Sequence, residues 1–386
     1  MKPPSHPPGR SIRTPQGYTA FVPDPLPPKL EWTPVLTRAL SDADRLIGQL
    51  AGEGGQLPNP HVLIRLFVRR EAVLSSRIEG TRATLGELLA AEAGATVERS
   101  PDDLREVANY VKALEQGVKR LKTLPLSLRL IRELHATLMA GVRGERATPG
   151  EFRRTQNWIG PPGCTLANAT YVPPPVHEMT ECLGAWERFL HDRSLPPLAQ
   201  VALLHSQFEA IHPFLDGNGR VGRLLITLFL VEREILPTPL LYLSAFFEAA
   251  RRDYYERLQG VTDRGDWEGW LQYFLNGVAR QSEDALSRAA RINQLLATWR
   301  KAAAKTSSKV PLSLVDTLAS NPYLTLTGAA RQLNVAFTTV QRAAERLQKL
   351  GIVKEMSGQQ RNRVYCATAL LSILEAPAQL LPNVEK

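Results

Sequence analysis

The stretch "AIHPFLDGNGRVGRLL", residues 210–225, sets three glycines, two arginines, an aspartate, an asparagine and a histidine between two apolar runs. Upstream, in "LAQVALLHSQFEAI", Val201, Leu204, Phe208 and Ile211 recur at helical spacing. Downstream, Val221, Leu224, Leu225 and Leu228 do the same. "HPFLDGNGR" therefore reads as a tight connection between two buried helices.

Working outward, the pattern stays helical. "HVLIRLFVRREAVLSSRIEG" carries Leu63, Phe67, Leu74 and Ile78 on one face, Gly80 is a natural C-terminal stop, and Thr84 to Glu87 reads as a capping box. Two further helices are expected over 101–145, separated by Pro125. "GEFRRTQNWIGPPGCTLANATYVPPPVHEM" breaks the pattern with Pro, Gly, Asn and Thr, and reads as a small hairpin or structured loop. Helices resume at Val176 and continue to about residue 301, where "KAAAKTSSKVP" marks a linker. The fold class is all-α with a small β-hairpin.

The first thirty residues are Pro-rich and lack an apolar signal-peptide core, so they are expected to be extended, either disordered or draped over a surface. No apolar run is long enough to span a membrane. The three cysteines are too widely spaced for a disulfide framework or a zinc pattern, which makes a reducing cytoplasm the simplest compartment. A net charge of +9 favours anionic partners, and equally fits a solubilising basic surface.

The glycine-rich connection suits anion chemistry. Unpaired N–H groups at a helix start carry the positive end of its dipole, and a Gly-rich turn lets an anion approach them. Arg220 and Arg223 add guanidinium forks that fit phosphate oxygens. Asp216 beside such a nest calls for a cation, and Mg²⁺ prefers hard oxygen ligands of this kind. His212 titrates near neutrality and can take a proton from a hydroxyl. Together these residue types suggest transfer of a phosphate-containing group to a hydroxyl.

"HPFLDGNGRVGR", His212 to Arg223, resembles in full the Fic family signature, His-Pro-Phe-x-Asp/Glu-Gly-Asn-Gly-Arg-x-x-Arg. The resemblance extends from about Leu30 to Leu286. It implies an all-helical core that transfers AMP from ATP to a Ser, Thr or Tyr hydroxyl of a protein, with the protein itself left open as a target. By the resemblance, His212 is the general base and Asp216 holds Mg²⁺. Gly217, Asn218, Gly219, Arg220 and Gly222 contact the nucleotide phosphates, Arg223 grips the distal phosphate, and Phe214 anchors the loop. "LSSRIEGT" is similar to the family's inhibitory motif, with Ser75, Glu79 and Gly80 in its positions. That similarity implies a carboxylate, Glu79, competing with the γ-phosphate for Arg223. "ATYVPPPVHEM" resembles the family's flap, which implies that Thr170, Tyr171 and Val172 pair with a target segment as an added strand. One departure is Ala250, where the family commonly has Asn, so the base contact differs. Tyr254 and Tyr255 are either base-stacking partners or core.

From Lys301 to Arg363, ten Lys or Arg residues face three acids. "VAFTTVQRAAERLQKLG" resembles the recognition helix of a winged helix-turn-helix, with Thr338, Thr339, Gln341 and Arg342 facing outward, and "SGQQRNR" a basic wing tip. DNA is the partner this implies, and protein contact is the alternative. The expected organisation is a Pro-rich segment over 1–30 and an N-terminal helical domain with the inhibitory helix over 31–100. A Fic catalytic core over 101–300 and a linker with winged helix-turn-helix over 301–386 complete it. Two other functions stay open: a nucleotide-responsive DNA-binding regulator, and a related enzyme that removes AMP or transfers another nucleotide group. A homodimer is left open too.

Overall fold

The computed structural model describes residues 8–56, 60–98, 100–142, 148–161, 163–305, 308–358 and 363–377. The chain is mostly helical. It begins with two strands, β1 (Gly9–Arg13) and β2 (Thr19–Pro23), followed by α1 (Pro34–Gln56), α2 (Pro60–Ile78), α3 (Leu85–Glu92), α4 (Pro101–Arg120) and α5 (Leu128–Leu138). After a long loop come α6 (Val176–Leu190), α7 (Pro197–Ile211), α8 (Asn218–Glu232), α9 (Ser244–Ala249), α10 (Arg251–Arg264) and the long α11 (Trp267–Ala303).

Helices α7 and α8 lie at the centre, buried on nearly every side. A helix apolar all round must be enclosed by others. Its neighbours supply both packing and polar ties: Trp186 and Trp270 donate their indole N–H groups to the Leu204 and Ala202 carbonyls of α7, at 2.9 and 2.8 Å. Helix α3 starts with a complete capping box, Thr84 Oγ1 accepting from the Glu87 N–H while the Glu87 carboxylate accepts from the Thr84 N–H.

The Pro-rich start is draped over the helical body, one of its two expected forms, and is paired there as a hairpin. Thr14 to Tyr18 make a turn, with Pro15 early in it and Gly17 at φ +89°, and β1 pairs antiparallel with β2. "TPQG" is the turn chemistry that closes the hairpin, hidden among the prolines. The hairpin docks through Arg10 on Glu178 and Tyr18 on Gln156.

The linker expected near residue 301 begins as helix, since α11 runs through Lys301 to Ala303. Beyond it lie α12 (Val310–Ser320), β3 (Tyr323–Thr325), α13 (Leu326–Leu333), α14 (Phe337–Lys349), β4 (Lys354–Glu355), β5 (Val364–Cys366) and α15 (Thr368–Glu375), with sheet order β3–β5–β4. Residues 359–362 of the expected basic tip lie outside the described residues. This unit is fastened to α3: Asn321 Nδ2 donates to the Leu89 carbonyl at 2.9 Å, Thr325 Oγ1 to the Ala93 carbonyl at 3.0 Å, and Glu375 accepts from the Gly86 N–H at 3.2 Å. No described helix is long and apolar enough to cross a membrane.

Candidate active site

The central connection is held open by its own backbone. His212 ends α7 in the left-handed region, at φ 48° and ψ 61°, with its N–H on the Phe208 carbonyl. A non-glycine residue in that region costs on the order of 1–3 kcal/mol and persists where the surroundings enforce it. Five residues on, Gly217 caps α8 at φ +80°, with no side chain of its own to bond the helix N–H groups. The first turn of α8 therefore presents its N–H groups outward, as an anion site requires.

Side chains brace the loop between these two points. Asn218 Nδ2 donates to the Phe214 carbonyl and its Oδ1 accepts from the Phe214 N–H, both at 2.8 Å. Its side chain thus closes the loop, and only its backbone N–H belongs to the nest. Phe214 is fully buried and stacks on His135 at 3.7 Å. Gly150 donates its N–H to His135 Nδ1 at 2.9 Å, which leaves the proton on Nε2 to reach the Asp216 carbonyl at 3.0 Å. Burial drives the His135 pKa down to about 4, so this brace is a neutral ring.

The charged residues converge on the nest. Arg220 is buried, with its Nη2 3.5 Å from Asp216 and its Nη1 3.6 Å from Glu106. Its Nε and Nη1 have no hydrogen-bond partner among the described residues, a costly state that an incoming oxyanion would relieve. The Asp216 side chain keeps 52% of its surface exposed beside the helix start. The ring of His212 sets its Nδ1 3.3 Å from the Glu209 carbonyl. A proton on Nδ1 makes that bond and leaves the Nε2 lone pair free to accept another. Burial, above all, lowers the ring's pKa to about 4.

Glu79 reaches the same nest from α2. Its Oε1 lies 2.5 Å from Arg223 Nη2, while Arg223 Nε donates to Ser75 Oγ at 2.9 Å and Nη2 to the Ser75 carbonyl at 3.1 Å. A Cβ on Gly219 would collide with the Glu79 carboxylate and the Arg223 guanidinium, so the carboxylate lies directly on the helix start. Burial alone would raise the Glu79 pKa, but the Arg223 charge and hydrogen bond outweigh it and hold the carboxyl below its ordinary value. One turn before Ser75, the buried Glu71 accepts from Ser244 Oγ at 2.5 Å and Tyr110 OH at 3.1 Å, which ties α2 to the helical body.

The end of α2 explains how Glu79 is aimed. Thr81 N–H bonds the Ser76 carbonyl and Gly80 N–H the Arg77 carbonyl, the paired bonds of a Schellman end. Gly80 sits at φ +100° with nothing within 4 Å of a built Cβ. Gly80→Ala is therefore expected to destabilise the protein by about 1–2 kcal/mol through backbone strain alone. Chemical denaturation measures this, and an unchanged midpoint would mean that the turn does not need glycine.

Not every expected residue joins the nest. Gly222 lies one turn along α8, where a Cβ would collide with Glu209 and crowd His205. It serves the α7–α8 packing seam. Tyr171 exchanges two backbone bonds with Ile159, and the Val172 carbonyl accepts from the Phe21 N–H at 2.9 Å. Of the groups expected to take a target strand, both backbone groups of Tyr171 and the carbonyl of Val172 are engaged within the chain, and Thr170 flanks them. Tyr254 is core, stacked on Phe247 at 4.5 Å and bonded to His205 at 2.8 Å, whereas Tyr255 is 42% exposed.

Sequence reasoning missed His135, Arg153 and Asn157. Arg153 Nε and Asn157 Nδ2 both donate to the His212 carbonyl, at 3.0 and 3.2 Å. Their only sequence signal was the polar interruption that contains them.

Residues 37–119 match the family model described as Fic/DOC family N-terminal, and residues 125–230 match that of the Fic/DOC family. A protein adenylyltransferase Fic of Drosophila grimshawi is 28% identical over 202 residues, 51% of this chain and 38% of that protein. Its counterpart in Drosophila virilis is 31% identical over 160 residues, 40% of this chain and 31% of that protein. The chain spans about a third of the length of these curated relatives. Two solved structures share the fold. A Fic family protein from Desulfovibrio desulfuricans covers 89% of this chain and 98% of its own, with TM-score 0.59 and 20% identity. A Fic domain containing signaling protein from Bacteroides thetaiotaomicron covers 67% of this chain and 97% of its own, with TM-score 0.52 and 22% identity. Residues 37–119 and 125–230 of the chain are thus similar to the Fic/DOC family N-terminal and Fic/DOC family models in turn.

Proposed function

We propose that the protein is a self-inhibited adenylyltransferase that moves AMP from ATP to a Ser, Thr or Tyr hydroxyl of a protein. The observation that carries this reading is the Glu79 carboxylate seated on Gly219 and Arg223, an anion in a nest suited to phosphate. The nucleotide relatives handle is consistent with it, since they are named adenylyltransferases.

The chemistry follows from the groups at hand. The N–H groups of the α8 start and the guanidinium of Arg220 receive phosphate oxygens. The target hydroxyl oxygen attacks the α-phosphorus, its proton passes to His212 Nε2, and the bond from that phosphorus to the bridging oxygen breaks, releasing pyrophosphate. Asp216, exposed at the nest edge, is the residue that would hold Mg²⁺. Its lone carboxylate fits an ion otherwise held by phosphate oxygens and water, and the ion would neutralise phosphate charge. Arg223 would grip the distal phosphate once Glu79 has left. Incubating the parent and Glu79→Gly proteins with ATP and Mg²⁺ and recording intact masses tests the reading. AMP added to the variant supports it. No adduct on the variant or on any protein of a source-cell extract would sink it.

A second activity is compatible with the first. The C-terminal unit is read as a winged helix-turn-helix that binds DNA, because Thr338 and Arg342 are exposed on α14. Binding should weaken steeply with salt and further with Arg342→Ala. A gel-shift at low salt checks both, and no retardation of fragments spanning the source genome excludes the reading.

A further inference from the structure

Arg153 is 1% exposed, yet among the described residues it forms no ion pair. A buried cation without an anion is expensive unless its donors are met. Here a carbonyl oxygen meets each of its three side-chain nitrogens. Nε donates to the His212 carbonyl at 3.0 Å, Nη1 to Thr155 at 3.4 Å and Nη2 to Pro174. The Arg153 N–H also reaches the Pro213 carbonyl at 2.9 Å.

The placement of those carbonyls matters. His212 carries the strained backbone, and Thr155 and Pro174 stand on the two legs of the loop that closes at Ile159 and Tyr171. Gln156 Nε2 joins the legs directly, donating to the Pro173 carbonyl at 2.9 Å. Tyr171 adds a tie from the loop to the end of α7, its OH on the Ala210 carbonyl at 2.8 Å. One guanidinium therefore spans the base and both legs.

We propose that Arg153 is a positioning residue for the reaction: it locks the left-handed backbone of His212 to the 155–174 loop, so that the loop's position and the aim of the base are set together. Its charge has a second effect. A cation beside the imidazole disfavours the imidazolium and keeps Nε2 free to accept a proton. Glu79 from α2 and Asp216 from the connection act in the opposite sense on the ring, as does the bond to the Glu209 carbonyl of α7. Arg153 stays protonated itself, because burial lowers its own pKa only to about 10. The inference rests on His212 being the base of the proposed reaction.

The test compares Arg153→Gln and Arg153→Lys in the Glu79→Gly background. With Gln, AMP transfer at saturating ATP should slow about tenfold or more, with the KM for ATP changed less than about twofold. The acid limb of the rate should move up by about one pH unit. Lys keeps the charge and should restore part of the rate and most of the pH profile. A Gln variant with unchanged kcat and acid limb overturns the proposal, and so does a Lys variant as impaired in both as Gln. If Gln fails to fold, Lys against the parent decides by the same readouts. A Glu79→Gly protein that transfers no AMP would count against the functional reading instead. NMR titration of the His212 ring then still decides on Arg153: an upward shift on charge removal supports the proposal, and no shift overturns it.

Discussion

Glu79→Gly is expected to raise AMP incorporation about tenfold to a hundredfold over the parent protein, read as nucleotide added in intact masses. Arg223 is 2% exposed, and its Nη2 meets Glu79 at 2.5 Å. An anion that needs this guanidinium must displace the carboxylate. A hydrogen bond to a charged group contributes about 1.5–3 kcal/mol, which sets the expected range. The Glu79 side chain keeps 35% of its surface in solvent, so screening favours the lower end. Removing Glu79 does not strand the cation, because Ser75 still accepts from Nε and Nη2. Glu79→Gln separates charge from shape: it fills the same space without the ion pair, so it should fall between parent and glycine. ATP binding with parent-level transfer in both variants would mean that Arg223 is not the point of control.

The contrast between what the sequence disclosed and what it hid follows from chain distance. The segment from His212 to Arg223 is local: its turn, its glycines and its arginines sit within one connection and read directly. Glu79 was singled out by the resemblance of "LSSRIEGT" to a family motif, and not by the helix pattern, which marks it only as a carboxylate at a helix end. The buried braces were not legible. His135 reaches Asp216 across 81 positions and Arg153 reaches His212 across 59, and neither has a local pattern that reveals such a partner. Composition left detail unread at one end and misled at the other. Prolines masked the "TPQG" turn of the N-terminal hairpin, and the alanines near residue 301 continue a helix where a linker was expected. Gly222 was grouped with its neighbours in the signature, but it lies a turn further along α8, where a Cβ would meet Glu209 and His205.

His212→Ala in the Glu79→Gly background should lower AMP transfer about a hundredfold to ten-thousandfold, the usual contribution of a positioned base. The loss should fall on kcat. Phosphate contacts come from the α8 start, whose cap is Gly217, and from Arg220, which is braced by Asp216 and Glu106. None of these touches the imidazole, so ATP affinity should change less than about twofold. The backbone should tolerate the change, since Arg153 and Asn157 bond the carbonyl of residue 212 and not its ring. Two measurements on one sample separate the possibilities: ATP binding by calorimetry and transfer by mass. Weak ATP binding with proportionate loss of transfer would make His212 a binding residue. Full binding with undiminished transfer would place the proton acceptor elsewhere. The half-buried Glu209 is the first group to examine then, because its buried Oε1 has no partner among the described residues and desolvation pushes its pKa up to about 7.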